Sequence, residues 1–359
     1  MAGSYELLTI GGTQVRVHWT FFLLLLWFGL VEWLAVGGEA AVFAVIFIVL
    51  LFVCVLLHEF GHVLAARRFG IRTPDITLLP IGGMASMEHM PEKPSQEVIV
   101  ALAGPAVNVV IAFLLVVVLG ARLNVAALDL ANSSGSSMLA RLAVANVALV
   151  AFNLIPAFPM DGGRVLRALL AMHMGYVRAT RTAAVVGQVF AVILGFVGLL
   201  GNPLLILIAV FVYFAATAES QSVEMRSLAR GYLARDAMIT KFEALHPGST
   251  ADDAAALLLR TTQQEFPVID AESRMRGIVT RDALIEALRD RGGSTPVAEF
   301  MEKDVPVVTG TARLDNVLQM LQQKSARAVA VAGPDDRLLG FITPENFSEM
   351  VMVGRARQV

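Results

Sequence analysis

Up to about residue 220 the chain is written in long apolar runs, and beyond it charge and polarity return to the level of a soluble domain. Six runs approach the ~20 residues a helix needs to cross a bilayer: 19–36, 40–65, 98–120, 138–155, 182–200 and 203–218. The first and last are short, and Gly201-Asn202-Pro203 predicts a tight turn between the final pair. Ahead of the first run, "ELLTIGGTQVRVH" alternates around Gly11-Gly12, which predicts a short β-hairpin. His18 and Trp19 follow as interfacial residues at the mouth of the first span. Between the second and third runs, residues 71–90 contain "ITLLPIGGMASM", apolar but broken by Pro80, Gly82 and Gly83. That stretch predicts a hairpin or re-entrant loop at the membrane face, tolerated where it lines a cavity. Residues 153–164, with Pro156, Pro159, Gly162 and Gly163, end the fourth helix and open a short one.

Composition agrees with this division. The 359 residues are 56% hydrophobic and 16% charged, with a mean hydropathy of +0.68, more apolar than an ordinary soluble domain. A net charge of −2 without a basic cluster excludes a nucleic-acid footprint. Cys54 is the single cysteine, so no internal disulfide forms. No small-residue cleavage site follows the first apolar run, which reads as a retained span. With the N-terminus inside, eleven Lys and Arg from Arg16 to Arg230, Arg167 among them, fall in or beside inner loops, against Arg122 and Arg141 outside. The expectation is therefore a multi-pass protein of the plasma (inner) membrane with both termini cytoplasmic.

Ionisable side chains inside an apolar span are rare and expensive, yet the second run contains "HEFGH", residues 58–62. On a helix, His58 and His62 share a face and can reach one metal ion, with Glu59 beside them able to take a proton from water. A catalytic zinc needs a third protein ligand and an open position. Asp161, in "NLIPAFPMDGGR" at the inner end of the fourth span, is at a compatible depth; its other reading is the N-cap of the helix opening near Gly162. Cys54 lies one turn before His58, although a buried cysteine is usually a small hydrophobe. Glu88 and His89 are weaker candidates beyond the hairpin, and His173 and His246 read as surface residues. Asn108, inside the third span, either clamps a neighbouring helix or donates to substrate or a developing oxyanion. Asn153 carries the same two readings, Asn146 reads as helix packing, and Gly82 and Gly83 mark the hairpin edge where an unwound substrate could add as a strand.

"HEFGH", "AGPAVN" (103–108) and "NLIPAFPMDGGR" (153–164), each beside its span, together with "LLPIGGM", resemble the site-2 proteases, which are zinc intramembrane metalloproteases. The resemblance covers the whole apolar half. It implies one Zn2+ per chain on His58, His62 and Asp161, Glu59 as catalytic base, Asn108 near the substrate, and regulated intramembrane proteolysis of a membrane-tethered regulatory protein.

From about residue 231 the chain repeats itself. Met238 and Met301, Gly277 and Gly340, and Thr280 and Thr343 are each 63 residues apart, and each copy reads strand-helix-strand-strand-helix. A unit of this kind exposes an apolar face until its twin covers it. The repeat resembles a tandem pair of CBS domains, which a subgroup of site-2 proteases carries at the C-terminus. Nucleotide-binding CBS copies show Gly-x-x-Thr-x-x-Asp, but the aspartate position here is Ala283 or Asn346, with Asp282 one residue early. Two readings stand: an adenine-nucleotide site using Thr280, Asp282 and Thr343, or a structural module that pairs the chain as a homodimer.

The expected architecture is a polytopic α-helical membrane protein of about six transmembrane helices with a membrane-associated β-hairpin, followed by a cytoplasmic α/β tandem CBS domain. Its boundaries fall at 1–220 for the intramembrane metalloprotease domain, 221–231 for a linker, and 232–294 and 295–359 for the CBS copies. The expected activity is zinc-dependent endopeptidase cleavage of a transmembrane segment. The rivals are a metal-ion transporter, which has no use for Glu59 and for which no inverted repeat is visible, and an inactive metal-bound scaffold.

Overall fold

The computed structural model describes residues 3–80, 82–87, 91, 93–121, 138–323 and 326–356. The chain divides into two compact units, Met1–Gln221 and Ser222–Val359.

The first unit opens with β1 (Ser4–Ile10) and β2 (Thr13–His18), turning at Gly11 and Gly12, both with positive φ. α1 (Trp19–Ala35) starts directly after His18, whose side chain caps it by accepting from the Thr20 amide. α2 (Gly38–Arg67) is apolar along most of its 30 residues, the pattern of a helix with no watery side. β3 (Asp75–Leu79) and β4 (Gly82–Ser86) form the expected hairpin. It is not isolated: β3 pairs in parallel with β2, so the two hairpins make one four-stranded sheet, β1-β2-β3-β4. Thr13, Val15 and Val17 alternate inward on β2, and Val17 and Leu78 pack on Phe21, Phe47, Phe52 and Leu142 of the helices. α3 (Pro94–Phe113) continues through a π-helical turn, Leu114–Val118. α4 (Met138–Asn153), α5 (Asp161–Met174), α6 (Tyr176–Gly201) and α7 (Pro203–Ala229) complete the apolar half.

Helices form at all six predicted spans. Four are long and apolar enough to cross a membrane: Gly38–Arg67, Pro94–Val118, Tyr176–Gly201 and Pro203–Ala229. Trp19–Ala35 and Met138–Asn153 are shorter apolar helices, and the last, expected to be short, is extended by a polar C-terminal stretch. Trp27, Leu26, Phe196 and Leu200 are among many large apolar side chains left exposed. Contiguous apolar surface on this scale suits hydrocarbon. Arg167, expected among loop cations, is fully buried on α5, and Arg141 is buried on α4 with Phe43 against its guanidinium. Arg122 lies outside the described residues.

The second unit contains α8 (Ala234–Ala237), α9 (Ala251–Arg260), β5 (Glu265–Ile269), β6 (Met275–Thr280) and α10 (Arg281–Asp290), then β7 (Val307–Thr309), α11 (Leu314–Gln323), β8 (Val329–Ala332), β9 (Leu338–Ile342) and α12 (Pro344–Ala356). The 63-residue repeat is visible bond by bond. The first strand of copy two pairs Val308 with Val331, and copy one reduces its counterpart to a single bridge, Leu245 to Val268. The entry segment of each copy crosses to the other's sheet: Ile239 bridges Phe341 and, symmetrically, Glu302 bridges Ile278. Arg274 and Arg337, themselves equivalent, face each other where the copies meet.

These crossings explain the paired glycines. A Cβ at Gly277 would stand 2.7 Å from the Glu302 carbonyl oxygen, and one at Gly340 would stand 2.5 Å from that of Ile239. Gly248, by contrast, has nothing within 4 Å of its Cβ position. Gly277→Ala is expected to lose ~1–3 kcal/mol of second-unit stability by overpacking, and Gly248→Ala less than ~0.5 kcal/mol. Unfolding midpoints of the two variants decide this; equal midpoints would contradict the crossing as the cause.

Candidate metal centre

His58 and His62 lie four residues apart on α2, and the face they share packs on α3. Two glycines let the backbones close. A Cβ at Gly61 would stand 2.6 Å from the Ala103 carbonyl oxygen. One at Gly104 would stand 2.6 Å from His58 Nε2 and also strike His62 Nε2. The imidazoles therefore occupy the space a side chain at 104 would take. The third group arrives from α5, whose first residue is Asp161. Gly162 and Gly163 allow that turn to nest against the backbone of 154–158.

Three polar atoms converge at one point. His58 Nε2 and His62 Nε2 are 3.1 Å apart, and Asp161 Oδ2 is 3.2 Å from each. That oxygen is buried and has no hydrogen-bond partner. The ring protons are committed elsewhere. His62 Nδ1 is 2.7 Å from the Val100 carbonyl oxygen, to which it can only donate. His58 Nδ1 is 2.5 Å from Asn108 Oδ1. The Asn108 amide is oriented in turn, because its Nδ2 donates to Asn146 Oδ1 at 2.8 Å. Asn146 Nδ2 donates to the Leu142 carbonyl at 2.8 Å and reaches Cys54 Sγ at 3.4 Å. A fixed carbonyl at the far end thus sets every donor in the chain, and a ring that donates from Nδ1 can turn an Nε2 lone pair into the cluster.

Three lone pairs facing one another in a buried space repel unless a cation lies among them. Zinc bonds of ~2.0–2.2 Å at tetrahedral angles separate their donor atoms by roughly 3.3 Å, close to the separations here. His58, His62 and Asp161 are the group among the described residues whose donor atoms could hold a metal ion. The donor set, two imidazoles and a carboxylate, suits zinc.

The remaining sequence candidates are distributed as follows. Glu59 is half-buried beside the cluster, and a Cβ at Gly83 would stand 2.6 Å from Glu59 Cγ, so β4 lies directly against it. Gly82 and Gly83 pair with Leu79 and Leu78 on β3, leaving the far side of β4 at the sheet edge. Asp161 is the first residue of α5 and Met160 its N-cap position, so the carboxylate points at the histidines and does not cap. Asn108 is engaged at both ends of its amide. Asn153 is the half-buried last residue of α4. Cys54 joins the Asn146 end of the hydrogen-bond chain, away from the three donors. Glu88 and His89 lie outside the described residues, and His173 and His246 are exposed. In the second unit, Thr280 and Thr343 use their hydroxyls to cap α10 and α12, accepting at 3.2 Å from the amides of Ala283 and Asn346. Asp282 is exposed, with Arg281 at 3.9 Å.

Gly104, the Val100 carbonyl and Arg164 were not anticipated. Arg164 Nη1 is 3.8 Å from Asp161 Oδ1. A signal for Gly104 was present in "AGPAVN": it precedes Asn108 by four residues and so shares its helix face.

Residues 46–124 and 118–197 match peptidase family M50, and 234–290 and 297–352 each match the CBS domain. A zinc metalloprotease of Methanocaldococcus jannaschii is 35% identical over 309 residues, covering 86% of this chain and 85% of the relative. Stage IV sporulation protein FB of Bacillus subtilis is 27% identical over 177 residues, 49% of this chain and 58% of the relative. Among solved structures, a site-2 protease from Methanocaldococcus jannaschii has 38% identity and a TM-score of 0.46, covering 60% of this chain and 95% of that one.

Gly104→Ala is expected to lower zinc affinity at least ~10-fold, the scale on which a disturbed metal surround is felt. Gly195→Ala, on α6 with only ordinary van der Waals space around it, should leave affinity unchanged. Chelator competition on both purified variants measures the difference, and equal affinities would place the metal elsewhere.

Proposed function

We propose, from the premise that this chain belongs to peptidase family M50, the site-2 protease family, that it cuts a transmembrane segment of a membrane-tethered regulatory protein, with its second unit as the cytoplasmic regulator. The chain is a zinc metalloprotease with a tandem CBS unit. The observation that carries the site assignment is the mutual approach of His58 Nε2, His62 Nε2 and Asp161 Oδ2 at 3.1–3.2 Å with both imidazole Nδ1 atoms already donating.

Zinc held by those three atoms would supply Lewis acidity, making water a better nucleophile and polarising the scissile carbonyl. Glu59, next to His58 and alongside the cluster, takes the proton from the attacking water and returns it to the leaving amine. Asn108 and the Val100 carbonyl act through the histidines, holding each ring in the tautomer that turns Nε2 inward. A substrate helix is shielded by its own hydrogen bonds and has to be unwound before attack. The free edge of β4, which Gly83 brings against Glu59, is suited to take that segment as an added strand. Asn153 completes the surroundings at the end of α4.

The excess of inner-loop Lys and Arg supports an inner-membrane protein with cytoplasmic termini. Water then enters from the cytoplasmic side. For the second unit the reading is control by an adenine nucleotide near the equivalent Thr280 and Thr343, in a chain that pairs as a homodimer.

Glu59→Gln is expected to retain stoichiometric zinc and the fold while losing ~10²–10⁴-fold in cleavage of a model transmembrane substrate. A transporter would still move metal with this change, and a scaffold would show no defect. Proline at Met84 or at Ala85 removes one backbone donor from β4, and neighbouring strand positions point their N–H groups to opposite sides. One of the two variants should cut kcat/KM sharply with zinc content unchanged. If both cleave normally, strand addition at β4 is wrong.

A further inference from the structure

Arg167 is a cation with no contact to water, on a helix too short to span a bilayer. Its Nε donates to Glu97 Oε1 at 2.7 Å and its Nη2 approaches the same oxygen at 2.5 Å. Its Nη1 donates to Glu219 Oε1 at 2.5 Å. The guanidinium lies over the rings of Phe158 and Tyr176, with centroids at 5.1 and 5.0 Å. Glu97 is also fully buried, and its other oxygen has no hydrogen-bond partner. A single fork thus joins α3, α5 and α7. Isolated buried charges are strongly unfavourable, so α3 and α5 cannot slide apart without orphaning Glu97 or Arg167, both fully buried.

The two ends of this clamp bear directly on the metal cluster. Glu97 precedes Val100 by one helical turn, and the Val100 carbonyl fixes His62. Asp161 opens the helix on which Arg167 sits, six residues or ~9 Å earlier along the axis. Metal bonds tolerate displacements of only ~0.2 Å, so a shift of α5 against α3 by a fraction of a turn would pull Asp161 Oδ2 out of range.

We propose that Arg167 is a positioning residue for the metal centre: by forking between Glu97 and Glu219 it locks the helix carrying Asp161 in register with the helix whose carbonyl orients His62. The inference rests on the reading of His58, His62 and Asp161 as the metal ligands. It adds to that reading a residue that touches neither metal nor substrate.

The test uses the full-length protein in detergent and needs no substrate. Arg167→Lys keeps the charge but loses the planar fork. The double variant Glu97→Gln with Arg167→Met removes both buried charges, and the Glu219 carboxylate it releases is 38% exposed, so no fully buried carboxylate is orphaned. Zinc affinity is read by chelator competition, site geometry by the visible spectrum of the Co2+-substituted protein, and folding by size exclusion and thermal unfolding. Both variants are expected to bind zinc on the order of 10-fold or more weakly per folded molecule, the range seen when groups supporting a ligand are lost, with an altered Co2+ spectrum. Zinc affinity within twofold of wild type and an unchanged spectrum in the folded variants would overturn the proposal, leaving Arg167 a structural ion pair. If the wild type itself fails to bind zinc, or His58→Ala binds as wild type does, the ligand reading fails instead.

Discussion

Everything in the first unit answers to one electrostatic constraint. Two imidazole nitrogens and a carboxylate oxygen meet with their lone pairs facing inward, in a helix bundle whose outer surface is hydrocarbon-like. Such a cluster persists only if the ring protons have been drawn off to other acceptors and if the helices stand close enough for the three atoms to share an ion. The first condition explains Asn108, Asn146 and the Val100 carbonyl. The second explains why Gly61, Gly162 and Gly163 sit where backbones touch, and why Gly104 leaves room for the two imidazoles. Glycines of membrane helices often serve close approach in general; here each close approach has a specific polar consequence.

Much of this could be read from the chain before any coordinates. His58 and His62 declare themselves by helical spacing, and Asp161 by its depth at the end of the fourth run. The hairpin at Gly82-Gly83 is legible because proline and glycine forbid a helix there. What escaped is whatever depends on which face of one helix meets another. The Asn108–Asn146 link joins residues 38 apart whose helices have to be rotated correctly before their amides meet. Arg167 was assigned to a loop because counting apolar runs puts charges between spans, whereas its charge is neutralised inside the bundle. The parallel β2–β3 pairing escaped because its strands are separated by two helices, and no local pattern encodes such a partnership.

The three facing donors and the edge strand β4 approach one another through a small residue again. Gly83 brings a strand with an unpaired side to the flank of Glu59. A carboxylate in an apolar span needs company that can be both close and polar, and a backbone supplies it without a side chain to desolvate. Sheet and donor cluster are in this sense one construction, although they are built from segments that the sequence separates with two prolines.

The tandem unit carries a different kind of consequence. Since the entry segment of each copy bridges to the sheet of its sister, neither copy is structurally independent of the other. A mutation at Gly277 is judged by a carbonyl belonging to the second copy, and one at Gly340 by a carbonyl belonging to the first. Mutual veto of this sort binds the two copies into one piece, and it means that replacing a single copy by an unrelated one would inherit half of a lock without its key.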